Sequence, residues 1–95
     1  MDITRELRTL VTTGKVALGA EQAKKALKAK SARLVIVAAN VSRGNAEAIS
    51  RFENAPVYRF PGTSLELGSA CGKPFAVSVL TVLAPGESGI MSLLK

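Results

Sequence analysis

The sequence has no histidine, and its one cysteine is Cys71. Without histidine, the usual Ser-His, Cys-His and His-metal sites are excluded. A lone cysteine cannot form an intramolecular disulfide, which fits a reducing compartment. Cys71 also stands at helical spacing from Leu67, which favours a small core residue over a nucleophile. We therefore expect that this protein is not an enzyme.

Other chemical motifs are missing as well. Gly14 and Gly19 have the spacing of a phosphate-binding loop, but Ala20-Glu21 follows where such a loop needs Lys-Ser/Thr. The seven Asp and Glu residues form no close cluster in the sequence. No apolar run approaches the ~18–20 residues of a membrane span, and residues 1–6 lack the order of a signal peptide. We expect no cofactor, no metal, no small-molecule substrate and no membrane partner, and a cytoplasmic location.

Aromatic residues are scarce at 4%, whereas apolar residues make up 47%. The core must therefore consist of Val, Leu, Ile and Ala, as in packed α/β domains. A chain of 95 residues fits one domain, which we place at 1–95. The formal charge of +6, concentrated in residues 1–48, favours an anionic partner: RNA, DNA or an anionic membrane surface. A simple solubility charge is the alternative.

Hydrophobic periodicity alternates along the chain between helix and strand patterns. Ile3, Leu7, Leu10 and Val11 predict a helix over 2–12, and the continuous apolar run at 34–39 predicts a buried strand. Thr63 and Glu66 have capping-box spacing. The remaining patterns predict helices at 20–30, 46–53 and 63–71, strands at 16–18, 57–60 and 75–83, a loop at 40–45, and a closing helix through Ile90, Leu93 and Leu94. This alternation predicts a three-layer α/β/α sandwich with a mixed, largely parallel four-stranded sheet.

Ligands of such sheets meet the loops at the carboxyl ends of parallel strands. Gly19 stands at a helix start whose free N–H groups attract phosphate, or it makes a tight turn. Glu21 and Gln22 could accept hydrogen bonds from bases, and Lys25 lies near the same edge. Asn40 ends a buried strand, where its amide either contacts a base or holds the loop.

The segment 68–73 is a candidate for a third contact, because its small residues offer a flat wall for an unpaired base. The alternative is a helix that ends in an ordinary glycine cap at Gly72. Lys73 is placed for a phosphate. Phe75 either stacks on a base or fills the core, and its position in a predicted strand favours the core.

The sequence resembles the archaeal and eukaryotic large-subunit ribosomal protein thirty-e family, within the kink-turn-binding superfamily. The most specific matches are Ala38-Ala39-Asn40 and Glu66-Leu67-Gly68. The other matching pieces are Thr13-Gly14-Lys15-Val16, Leu18-Gly19, Lys25 with Leu27, Leu34-Val35-Ile36-Val37, Pro56-Val57-Tyr58, Gly62-Thr63-Ser64, Gly72-Lys73-Pro74 and Pro85-Gly86-Glu87-Ser88. The resemblance implies the same sandwich fold and a non-enzymatic place in the large ribosomal subunit of the cytoplasmic ribosome. It also implies binding to a kink-turn, a bent internal loop of large-subunit ribosomal RNA, with neighbouring ribosomal proteins as further partners.

Carried over by position, the family's RNA-binding residues fall on the three loops described above. They are Gly19, Glu21, Gln22, Lys25, Asn40, Arg43, Cys71, Gly72, Lys73 and Phe75. Relatives often have a basic or amide residue near Glu21, where this chain is acidic. The loop after Asn40 is short, which departs from the family pattern at Arg43.

Three other functions compete with this one. A guide-RNA particle protein of the same superfamily would also bind kink-turns, but Ala38-Ala39-Asn40 favours the ribosomal family. A protein-interaction module on this fold would tend to be acidic, against the charge of +6. An enzyme using Cys71 or a carboxylate cluster made by folding is the fourth hypothesis.

Overall fold

A computed structural model describes residues 3–53 and 55–91 of the chain. Within them, helices and strands alternate as the periodicity predicts. In chain order they are α1 (Ile3–Thr13), β1 (Lys15–Leu18), α2 (Ala20–Lys28), β2 (Leu34–Val37), α3 (Arg43–Ser50), β3 (Val57–Arg59), α4 (Ser64–Ala70) and β4 (Val79–Ala84). The predicted α/β class and the four-stranded mixed sheet are confirmed.

The four strands form one sheet in the order β1-β4-β2-β3. β4 is antiparallel to both of its neighbours, and β2 and β3 pair in parallel. The prediction that the sheet is largely parallel was therefore wrong, because two of its three pairings are antiparallel. Alternation in sequence predicts parallel neighbours, but the last strand enters between β1 and β2 in the opposite direction.

Each face of the sheet packs against two helices. Leu34, Ile36, Leu80 and Val82 point to the side where α1 contributes Leu7 and Leu10 and α4 contributes Leu67 and Ala70. Val35, Val37 and Val79 point to the other side, against Ala23 and Leu27 of α2 and Ile49 of α3. β2 is buried along its whole length because both of its faces are covered. The three-layer sandwich follows from this period-two sorting of side chains.

Two element starts differ from the sequence prediction by three or more residues. Helix α3 begins at Arg43 and not at Ala46, since the Ser42 side chain accepts a hydrogen bond from the Asn45 N–H and caps the helix. Strand β4 begins at Val79 and not at Phe75. In the segment before it, Pro74 has no N–H to donate, and the Val77 N–H donates to the Ser64 carbonyl instead of to a strand.

The boundaries of α4 agree with the sequence prediction, and the predicted closing helix is described only in part. Thr63 and Glu66 form the predicted capping box, and Gly72 follows the Cys71 C-cap with φ +76°. Ile90 and Met91 begin a short 3₁₀ turn, and Ile90 is fully buried. Leu93 and Leu94, the rest of the predicted closing helix, lie outside the described residues.

Candidate nucleic-acid interface

The sheet topology brings three chain segments to one end of the sandwich. β1 and β2 both end there, at Leu18 and at Val37, and β4 begins there because it runs the other way. Backbone hydrogen bonds join the segments: Gly19 N–H to the Val79 carbonyl at 2.9 Å and Ala38 N–H to the Ser78 carbonyl at 2.8 Å. We call this end, formed by residues 19–22, 38–42 and 72–78, the loop rim.

Gly19 precedes α2 with φ 102° and ψ 155°, a backbone conformation that L side chains rarely adopt. A Cβ built there would have no atom within 4 Å, so the space above Gly19 is open. The Gly19 N–H is not free, as it donates to Val79. The available donors are the next three N–H groups, of residues 20–22, which receive no side-chain cap. This helix start is therefore a place where an anion can meet backbone donors.

Three polar side chains follow on the exposed side of α2. Gln22 and Lys25 are exposed and lie one helical turn apart. Glu21 is also exposed, and its carboxylate accepts from Lys24 Nζ at 3.3 Å. In the described residues Lys25 has no such partner, so its charge is not neutralised by the protein. The acidic Glu21 thus pairs locally with Lys24, while Gln22 and Lys25 stay available.

Asn40 links two segments of this end of the molecule. Its Oδ1 accepts a 2.7 Å hydrogen bond from the Ser64 N–H at the start of α4. The sequence left two roles for the Asn40 amide, contact with a base or holding the loop, and this hydrogen bond shows that it holds the loop. The Asn40 Nδ2 group donates to no other described residue, and the residue is exposed. Because the residue is exposed and its Nδ2 has no partner among the described residues, its two N–H donors are open to a base edge.

Arg43, the other residue predicted for the second segment, stands on the first turn of α3. Its side chain is 93% exposed, and its Nε lies 3.4 Å from Glu47 Oε1. Arg43 and Glu47 line a cleft of about 450 Å³ against Val57 and Arg59 of β3. Arg43 therefore faces the α3–β3 side of the molecule more than the centre of the loop rim.

The third segment crosses tightly over α4. A Cβ on Gly68 would collide with the Phe75 carbonyl oxygen, so only glycine allows this crossing. Phe75 is 49% exposed, which contradicts its predicted place in a core strand. The ring is outside the core because β4 starts four residues later. Phe75 and residues 76–78 line a shallow cleft of about 240 Å³ with Leu18 and Gly19, a shape into which a planar base could stack.

Cys71 and Lys73 stand at the end of α4. Cys71 packs in the core beside Leu67 and Ala70, as its helical spacing predicts. Burial raises the pKa of the Cys71 thiol above its ordinary value of 9.0, and the nearby Lys73 ammonium partly opposes this. A thiol with a raised pKa is a poor nucleophile. Lys73 is half-buried and Gly72 is exposed, so this corner presents a backbone turn and one cation to solvent.

Leu65 was missed by the sequence interpretation. It is the most exposed large apolar side chain of the described residues, at 67%, and follows Ser64, the partner of Asn40. Its position off the apolar stripe of Leu67, Ala70 and Cys71 was the signal in the sequence that could have identified it.

Within 3–53 and 55–91 no group of His, Cys, Asp and Glu could hold a metal ion, and no helix there is long and apolar enough to cross a membrane.

Comparison with known proteins places this geometry in context. The model of the ribosomal protein L7Ae/L30e/S12e/Gadd45 family matches residues 1–92. The large ribosomal subunit protein eL30 of Methanosphaera stadtmanae is 47% identical, with 98% of each chain covered. That of Pyrobaculum neutrophilum is 43% identical over 100% of this chain and 97% of its own. A solved Bacillus halodurans protein of unknown function superposes with a TM-score of 0.80 at 23% identity, covering 98% of this chain and 95% of that one, which shows the shared fold.

Proposed function

The chain belongs to the ribosomal protein L7Ae/L30e/S12e/Gadd45 family, and we propose that it is a structural protein of the large ribosomal subunit that binds a kink-turn in ribosomal RNA. Its curated relatives are ribosomal proteins, and the chain is not an enzyme. Its place in the cell is the cytoplasmic ribosome, where neighbouring ribosomal proteins are further partners.

The observation that carries the kink-turn proposal is the convergence of three different segments on the loop rim. A sharply bent RNA crowds its phosphates and turns unpaired bases outward. The loop rim has groups that suit both the crowded phosphates and the unpaired bases. The uncapped N–H groups at the start of α2 and the free charge of Lys25 suit phosphates, while Phe75 and the cleft beside Gly19 suit an unstacked base. A straight duplex offers only the phosphates.

Specificity would come from neutral donors and acceptors, because lysines do not distinguish bases. The Nδ2 group of Asn40 and the amide of Gln22 are the side chains placed to contact base edges. Gly19 and Gly72, both with positive φ, keep the backbone bare where the RNA approaches. Lys73 adds a cation beside Gly72, and Cys71 takes part only through its backbone because its thiol is in the core.

The direct test compares a kink-turn RNA with a plain duplex of equal length, titrated with the full chain over a range of salt concentrations. We expect tighter binding of the kink-turn at every salt concentration, with an excess that salt does not remove. Equal affinities with the same salt slope would reduce the interaction to nonspecific electrostatics and refute the proposal.

A matched pair of lysine variants locates the contact. Lys25→Ala removes a charge near the loop rim, whereas Lys30→Ala removes one beyond the other end of α2. Both lysines are exposed, so both variants should fold. We expect Lys25→Ala to weaken kink-turn binding about 3- to 10-fold and Lys30→Ala to change it less. Similar losses for both variants would show that the contact surface is misplaced.

A further inference from the structure

Four cations lie at the end of the sandwich opposite the loop rim. They are Lys28, Lys30, Arg33 and Arg51, which we call the basal patch. Lys28 ends α2, and the Arg33 N–H donates to the Val82 carbonyl in the far half of β4. Arg51 caps the end of α3, and it lines a cleft with Lys28 and Phe52. The α2–β2 and α3–β3 connections therefore place their cations at the same end of the sandwich, where Lys28 and Arg51 share one cleft.

No carboxylate of residues 3–53 and 55–91 forms an ion pair with the basal patch. All four residues are exposed. The ion pairs formed among the described residues, Glu21–Lys24 and Arg43–Glu47, lie on other parts of α2 and α3. Glu53 is the carboxylate nearest to Arg51 in sequence, and it pairs with none of the four. Lys15 at the start of β1 and Glu87 after β4 lie at the same end and offset each other in formal charge, so the local excess of positive charge remains and attracts a polyanion.

Lys30 adds an observation that solubility does not explain. It has φ +59°, the one non-glycine residue with positive φ in the described chain. It occupies the position after the C-cap of α2, where the Lys30 N–H donates to Leu27 and the Ser31 N–H to Ala26, the pattern that normally takes glycine. A side chain there costs roughly 1 kcal/mol relative to glycine. Backbone strain of this kind is concentrated at functional positions, so Lys30 is a candidate functional residue.

We propose that the basal patch binds the phosphate backbone of a second RNA segment while the loop rim holds the first. Two of its cations are arginines, whose planar guanidinium groups match phosphate oxygens. An anionic membrane is less suited to this surface. Interfacial binding needs exposed apolar anchors. The two most exposed large apolar side chains, Leu65 and Phe75, lie near the opposite end, whereas the basal end has Val57 at 42% exposure and the half-buried Phe52. The inference rests on the proposed function only in taking RNA as the partner.

The experiment saturates the full chain with kink-turn RNA and then titrates a labelled plain RNA duplex into that complex. We expect a ternary complex whose affinity falls with salt. In a variant with Lys28→Ala, Lys30→Gly, Arg33→Ala and Arg51→Ala, duplex binding should fall on the order of 100-fold at low salt, with a salt slope smaller by about 3. Kink-turn binding by the same variant should change much less.

The single variant Lys30→Gly separates function from folding. It relieves the backbone strain, so the melting temperature should rise by about 4–8 °C. It should nevertheless weaken duplex binding several-fold and lower the salt slope by about 1. Lys25→Ala is the reciprocal control, because it should weaken kink-turn binding and leave the second duplex unaffected.

The two proposals fail in distinguishable ways. If no kink-turn complex forms, the duplex titration is run on the free chain, where loss of binding in Lys30→Gly and not in Lys25→Ala still supports the basal patch. The patch proposal is overturned if the saturated complex takes up no duplex, or if the four-residue variant binds duplex as well as the original chain. It is also overturned if phosphatidylserine vesicles bind through the patch and duplex does not.

Discussion

The loop rim and the basal patch are the two ends of one sheet, and they present opposite kinds of surface. The loop rim is built from backbone: two glycines with positive φ, uncapped helix N–H groups and a cleft beside Phe75. Its neighbouring cations Lys24 and Arg43 are paired with carboxylates. The basal patch has four exposed cations and no glycine among them.

If both proposals hold, this contrast shows how a small basic protein combines two modes of RNA recognition. Backbone donors and a stacking cleft have fixed positions, so they select a shape. Mobile lysine and arginine side chains carry charge without fixed geometry, so they bind phosphates of any sequence. Charge alone would have pointed to the basal patch and not to the proposed kink-turn site, since the larger unpaired cluster is at the end away from the glycine-bearing segments.

The largest expected effect is a loss of stability in a variant that displaces one segment of the loop rim. Gly68→Ala places a methyl group against the Phe75 carbonyl and pushes segment 73–78 away from α4. We expect a loss of about 3 kcal/mol of unfolding free energy, seen in a denaturant titration. Gly44→Ala is the matched control, because its Cβ meets no atom within 4 Å and it lies in α3. That control should be neutral or slightly stabilised by helix propensity.

The Gly68→Ala result also bears on RNA binding at the two ends. At temperatures where the variant is folded, kink-turn binding should drop while duplex binding through the basal patch persists. A variant as stable as the original chain would contradict the close crossing of segment 73–78 over α4.

A smaller effect, on kink-turn affinity, tests whether Asn40 contacts RNA. Asn40→Asp keeps an oxygen for the Ser64 N–H at a helix start, so stability should change by less than about 0.5 kcal/mol. It replaces the N–H₂ donors by a negative charge. Kink-turn affinity should therefore fall at least about 10-fold, whereas duplex binding at the basal patch should hold. Unchanged kink-turn affinity would show that Asn40 only accepts the hydrogen bond from Ser64 and does not contact RNA.

The smallest effect concerns Cys71, the core-facing residue at the edge of the loop rim. Its raised pKa keeps the folded thiol neutral, so a thiol reagent should label it slowly at pH 7. The unfolded thiol ionises at lower pH than the folded one. Stability should thus be unaffected well below pH 9 and should decline as the pH rises through the unfolded and toward the folded pKa.

Comparison with Cys71→Ala isolates this pH effect, because the variant lacks the titrating group and should lose less stability above pH 9. Fast labelling at neutral pH would instead indicate an accessible, low-pKa thiol and would revive the hypothesis of a nucleophilic Cys71.

Local patterns predicted much of the fold because their causes are local. The stripe of Leu7 and Leu10, the buried run at 34–37 and the capping box at Thr63 are written within a few neighbouring residues. The start of β4 was predicted wrongly because Phe75 and Val77 continue the apolar pattern of the strand toward its start. Its true place depends on a contact with Gly68 on another element.

The candidate site divides in the same way. Gly19 and Lys25 were identifiable as a helix start and a nearby cation, and the resemblance supplied the remaining positions. The core position of Cys71 was predicted from its helical spacing, whereas the position of Arg43 toward β3 depends on how α3 packs. Whether each of these residues contacts RNA stays a prediction.

The sequence by itself determined the alternation of helices and strands, the aliphatic core and the excess of positive charge, because each follows from residue type and short-range periodicity. Only the tertiary structure decided that β4 runs antiparallel between β1 and β2. That insertion brings the start of β4 beside the ends of β1 and β2, and it sends the connections carrying Lys30 and Arg51 to the opposite end. Strand order is a long-range property, set by which apolar faces can be covered together, and no local pattern records it.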